Sequence, residues 1–138
     1  MASQPVKDAV AAFLAANWTT LPVVGINNQD VTPADGSAWL QVQYPVGKED
    51  FIGMAAVGSR TFREEGAVRF VIAVPRAVGD GQAGAWIETL RDLFRAATIN
   101  HNGTIVIFRE AQPATTGDPV DNYWTLSFAV AYYFDAFK

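Results

Sequence analysis

His101 is the only histidine in the chain, and cysteine is absent. The side chains able to serve as a neutral-pH base, a thiolate nucleophile or a soft metal ligand therefore come down to one residue. A zinc site needs several converging donors, so one histidine without cysteine speaks against it. A Ser–His–Asp arrangement would have to use His101, and no G-x-S-x-G elbow occurs. His101 lies in Asn100-His101-Asn102-Gly103, the composition of an exposed turn. The adjacent carboxylates Glu49-Asp50 and Glu64-Glu65 are the kind of pair a hydrolase uses. In an extended chain, however, neighbouring side chains point to opposite faces, so these read as solvated charges. No residue is assigned a catalytic or metal-binding role.

Gly79-Asp80-Gly81-Gln82-Ala83-Gly84 has the G-x-G-x-x-G spacing, follows a strand-like run and opens a helix-like one. In dinucleotide-binding proteins that turn is tight and places the pyrophosphate on the helix N-terminus. Here Pro75 and several further residues intervene, and Asp80 sets a negative charge where the phosphates would lie. The segment reads as a corner with a helix cap, and no cofactor is expected.

The elements that would position any site point to one domain over residues 1–138. Half of the residues are hydrophobic and 17% are charged, the mark of a chain that buries a core. Four Trp, nine Phe and four Tyr exceed what a small core readily takes, so some are expected at subunit contacts. The net charge is −4, with Lys and Arg scattered, which speaks against nucleic-acid binding as the main role. No apolar run is long enough to span a bilayer as a helix, and the first residues do not read as a secretory signal. The lack of cysteine fits assembly in a reducing cytoplasm.

Ser3 is positioned to cap a first helix with Pro5 in its first turn. Val6, Val10, Phe13, Leu14 and Asn17 form its apolar-side stripe, and Leu21-Pro22 ends it at the latest. Residues 25–37 read as a loop. Residues 39–44 alternate as a strand closed by Pro45 and Gly47. Residues 51–58, rich in Gly and Ala, read as an irregular strand or arm. Residues 60–66 read as a hairpin turn returning into a strand in which Val68, Phe70, Ile72 and Val74 share a face. A second helix follows Asp80 and ends at Phe94, with Trp86, Leu90, Leu93 and Ala97 on one face and Ile87 and Phe94 beside it. Residues 104–108 form a strand and 111–122 a loop. Residues 123–137 form a last strand whose length suggests pairing beyond its own subunit. Trp124, Leu126, Phe128, Val130, Tyr132 and Phe134 share one face of it. The expected fold is α+β: a mostly antiparallel β-sheet with two main α-helices packed on one face.

One ordered set of residues carries a resemblance. Gly58, Arg60 and Gly66 precede the strand over 68–74. Pro75, Gly79 and Gly81 then lead into a helix holding Trp86, Leu90 and Leu93-Phe94. The chain resembles the tail terminator, or tail-completion, proteins of long-tailed bacteriophages, from its Ala-rich first helix to its Tyr/Phe-rich last strand. The resemblance implies a non-enzymatic virion protein. It would form a homo-oligomeric ring, hexameric in the family, that caps the tail tube, ends tail polymerisation and presents an interface to the head-side connector. The implied partners are further copies of the chain, the tail tube protein and the head-completion or connector protein, with DNA only passing through the lumen and no membrane involved. The implied location is the tail end of the virion, in the neck region, after assembly in the host cytoplasm. Phe51, Ile52, Met54, Arg60, Phe62, Arg63, Glu64 and Glu65 are the candidate contacts to neighbours and tube. The alternatives are another neck or tail-tube component, or a small domain binding an apolar ligand with its surplus aromatics.

Overall fold

Three strands of equal length dominate the chain, which is described here from a computed structural model covering residues 1–24, 36–77, 79–117, 119 and 122–138. The elements are α1 (Gln4–Asn17), β1 (Val23–Val24), β2 (Trp39–Gly53), β3 (Thr61–Pro75), α2 (Gly81–Phe94), β4 (Thr98–His101), β5 (Thr104–Ala111), β6 (Thr115–Thr116) and β7 (Tyr123–Phe137). The sheet order is β1-β2-β3-β7-β5-β4, with β6 also paired to β7. All pairings are antiparallel except the short parallel contact of β1 with β2. The fold is α+β, and the sheet is curled.

Strand alternation decides which face is dry. In register, Val42, Phe70 and Phe128 form one cross-strand row, and Leu40, Ile72 and Leu126 the next. These rows meet Val6, Val10 and Leu14 of α1 and Ile87, Leu90 and Phe94 of α2 in one core, so both helices lie on the same face. Phe94 is the hub, its ring 4.7 Å from Phe70, 5.2 Å from Phe13 and 5.3 Å from Phe108. The buried stripe of α2 is Ala83, Ile87, Leu90 and Phe94, with Trp86, Leu93 and Ala97 partly buried beside it; the expected stripe was rotated by about one position. Asn17, placed on the apolar stripe of α1 by spacing, is exposed and donates its amide to the Phe13 carbonyl. Ser3 and Asp80 occupy the N-cap positions, yet neither side chain makes the cap hydrogen bond.

Pro45 does not end β2. The register with β3 slips between Gln43 and Val46, so Tyr44 and Pro45 together face a single residue, and the strand continues to Gly53. A bulge on an outer strand is a place where a residue without N–H costs no ladder bond. Residues 98–101 also pair as a strand, joined to β5 by Asn102 and Gly103, both at positive φ (51° and 84°). That backbone is what a two-residue hairpin turn requires, and Asn-Gly supplies it. Of the loop expected over 25–37, residues 25–35 lie outside the described residues, as do Asp118, Val120 and Asp121 of the loop expected over 111–122. Within the latter, Thr115–Thr116 pairs with β7. The last strand pairs along its whole length with β3 of the same chain, so its fifteen residues need no outside partner on that edge.

Gly47 and Gly66 are register partners where the N-terminal segment crosses the sheet. A Cβ on Gly47 would stand 2.6 Å from the Met1 carbonyl oxygen, and one on Gly66 would collide with the Val46 carbonyl oxygen and the Tyr132 hydroxyl. The absence of side chains there lets the chain start and the Tyr132 ring lie flat on the strands. Gly66→Ala should therefore lower stability by about 1–3 kcal/mol, because a backbone carbonyl has no room to yield. Gly84→Ala, in α2 with nothing within 4 Å, should raise it by about 1 kcal/mol. Denaturant midpoints of the two variants check both signs; a neutral Gly66→Ala would contradict the close packing.

Candidate functional site

The half of the three-stranded ribbon beyond Gly47 and Gly66 holds every residue singled out for assembly. Its turn is residues 54–60, between Gly53 and Thr61, not 60–66 as expected from composition. Gly58 takes φ 96° there, and the Ser59 N–H donates to the Ala56 carbonyl at 2.9 Å. Arg63, Glu64 and Glu65 instead stand inside β3, at the centre of the ribbon. The end of β7 is tied to the turn: the Lys138 N–H donates to the Arg60 carbonyl at 2.9 Å, and Arg60 Nε donates to the Lys138 carbonyl at 3.2 Å.

Alternation sorts the charges onto two faces. On the helix-free face Arg63 forms a two-pronged pair with Asp135, Nε to Oδ1 at 2.7 Å and Nη2 to Oδ2 at 2.9 Å. The Tyr133 ring has two guanidinium groups against it, Arg63 at 4.5 Å and Arg109 at 4.7 Å. Arg109 also reaches Glu65 at 3.8 Å, and Lys48 reaches Asp50 at 3.1 Å. On the helix side the Glu64 carboxylate accepts from the Ser3 N–H at 3.1 Å and the Tyr132 hydroxyl at 2.7 Å. One carboxylate thus ties the start of α1 to two strands, and its charge suits the positive end of the helix. Burial, reinforced by the hydrogen bond to Glu64, raises the Tyr132 pKa, so the hydroxyl stays protonated and remains a donor.

The Arg63 hydrogen bonds hold the Asp135 carboxyl below its usual range. A carboxyl depressed in the folded state adds stability above the ordinary aspartate pKa, and that stability is lost as pH falls through the folded value. Asp135→Asn should accordingly lower the denaturation midpoint at neutral pH, with the gap to the parent chain closing below about pH 4. A gap that is the same at both pH values would show that the pair contributes nothing through its charge.

Among the eight candidates, Phe51, Ile52 and Met54 are exposed, Phe51 by 53% and Met54 by 92%. Phe62 is half-buried under Phe51, ring centroids 4.9 Å apart, with the Arg60 guanidinium 6.0 Å from its ring. Arg63, Glu64 and Glu65 are engaged within the chain and stiffen the ribbon. Val57, at the end of the apolar arm 51–57 expected to make such contacts, is 84% exposed, and the structure adds Val46 and Phe137. Phe137 shares a strand phase with Tyr133 and Asp135, so alternation along β7 already placed it off the core face. Val57 carried no periodic signal.

The remaining chemical candidates stay apart. His101 ends β4, half-buried, with its nearest polar contact the Asn102 amide at 3.4 Å. Among the described residues no group of three or more His, Cys, Asp or Glu gathers as a metal site. A Cβ on Gly84 would meet nothing within 4 Å, so the close helix–strand packing that calls for the third glycine of a dinucleotide loop is absent at that position. Only Gly79 needs to be glycine, for its φ of 81°.

Comparison with curated proteins gave no match. One solved structure shares the fold at a TM-score of 0.68 and 21% identity, covering 100% of this chain and 98% of that chain. The family model described as "Phage tail terminator protein" matches residues 5–132, nearly the whole chain and both halves of the ribbon. The chain belongs to the phage tail terminator family and is a structural component of a bacteriophage tail.

Proposed function

We propose that this chain assembles into a closed ring, of six copies, that caps the tail tube, ends its polymerisation and offers its other side to the head-side connector. The observation that carries this reading is the apolar end of the ribbon. Phe51, Ile52, Met54 and Val57 stand exposed together on a projection that no helix among the described residues covers. Large apolar side chains gathered on one projection mark a contact surface. Membership in the tail terminator family supports reading it as an assembly contact. The cross-strand ion pairs supply the stiffness a docking projection needs, and the turn at 54–60 supplies its adaptable end. The partners on this reading are further copies of the chain, the tail tube protein and the connector protein. DNA passes through the lumen, to which a net charge of −4 is suited. The work is done by surfaces, without substrate or cofactor, in the neck region of particles assembled in the host cytoplasm.

Tails assembled without this chain should have tubes of uncontrolled length. Adding it should yield capped tubes with a ring at the end, visible in negative stain, and light scattering of the mixture should show a discrete mass rather than open polymers. Tubes whose length ignores the protein, or open tubes built from the protein itself, would overturn the reading. Phe51→Asp should leave the circular dichroism and midpoint close to those of the parent and abolish capping; an unfolded variant would place Phe51 in the core instead.

A further inference from the structure

The chain holds sulfur in two side chains, Met1 and Met54, and has no cysteine. Met54 is 92% exposed and Met1 66%. The other readily oxidised groups are withdrawn from solvent: Trp18 and Trp39 are buried, and Trp86, Trp124 and His101 are half-buried. Met54 opens the turn between β2 and β3, close in sequence to Phe51, Ile52 and Val57, which are exposed as well. The most accessible sulfur of the chain therefore stands inside the apolar surface at the ribbon end. A thioether on an unbranched side chain adapts to an irregular partner surface, which suits it to such a place.

Exposure also leaves the sulfur open to chemistry. Its lone pair attacks the outer oxygen of a hydroperoxide; an S–O bond forms and the O–O bond breaks. The proton on the transferred oxygen passes to the departing one, which leaves as water or an alcohol. The thioether gives up two electrons, and the peroxide takes them. The sulfoxide is polar and chiral where the thioether was apolar. On an exposed side chain it disturbs no core, so the fold keeps its stability. At a contact, the new oxygen would be buried against apolar side chains without a donor, which is costly. Resting on the reading of the ribbon end as the docking surface, we propose that Met54 is a redox switch on that surface. Oxidation to the sulfoxide closes the ribbon end to its partner, and a thiol-dependent sulfoxide reductase reopens it. A docked partner covers Met54, so the switch acts before assembly and is locked after it.

The free chain treated with dilute hydrogen peroxide, and mapped by peptide mass, tests this. Met54 should gain one oxygen at close to its rate in the urea-unfolded chain, with circular dichroism and denaturant midpoint unchanged. The oxidised chain should need about tenfold more protein to cap half of the tail tubes, and sulfoxide reductase with dithiothreitol should restore the parent value. Met54→Leu, a substitution of similar volume, should cap as the parent does both before and after peroxide. That separates Met54 from Met1 and from damage elsewhere. On tubes already capped, Met54 should oxidise about tenfold more slowly than in the free chain. Complete oxidation of Met54 with capping unchanged overturns the inference and leaves the docking reading standing. A Met54→Leu chain that loses capping to peroxide as the parent does has the same meaning. Equal oxidation of Met54 in free and capped states would put it outside the contact and sink the inference too. An untreated chain that caps no tubes overturns the docking reading itself, and this inference with it.

Discussion

Two helices of fourteen residues cannot cover three strands of fifteen. At about 1.5 Å per helical residue and about 3.3 Å per strand residue, the helices reach roughly 21 Å and the strands roughly 50 Å. That mismatch organises the molecule. Over the first stretch of β2, the second half of β3 and the middle of β7, α1 and α2 supply an apolar lid, and Phe94 joins helices to sheet. Past Gly47 and Gly66 the lid stops and both faces of the ribbon reach solvent. A ribbon that long without a lid stands only if something else holds it.

What holds it is visible in the cross-strand pairs. Arg63 pairs with Asp135 across β3 and β7, and Arg109 of β5 reaches Glu65 of β3 past Tyr133, which lies between two guanidinium groups; Lys48 and Asp50 pair along β2 itself. Partly exposed pairs contribute little one at a time, about 1 kcal/mol or less. Arranged in rows across three strands they fix twist and register where no hydrophobic core does. Glu64 has a different task. It stands where covered and uncovered halves meet and ties the N-terminus of α1 to Tyr132, so the orientation of helix and ribbon is set at one carboxylate. The exposed apolar end is thereby tied to the body through this contact.

Much of this was legible in the sequence. Alternation in Val68–Phe70–Ile72–Val74 and in the last strand named the core faces, and both helices were found with their ends nearly in place. The errors have physical causes. Pro45 read as a stop because proline breaks a ladder, but a bulge on an outer strand needs no bond from it. Residues 60–66 read as a turn because charges and a glycine cluster there, although charges suit the centre of a ribbon that is wet on both sides. Gly66 signalled close approach, to Tyr132, and not a bend. The eight candidate residues do fall in one region of the fold, but pattern alone could not separate those facing outward from those spent on stiffness. That division depends on which side chain across the strand carries the matching charge, and only register reveals it.

We propose that the uncovered end of the ribbon is the surface by which this tail protein assembles. Hydrogen exchange read by mass spectrometry, on the free chain and on the same chain bound to tails, addresses it most directly. Amides of residues 46–60 should exchange much more slowly once bound, while those of the Phe94-centred core are unchanged. Equal exchange at 46–60 in both states, with the slowing confined to the outer sides of α1 and α2, would contradict it.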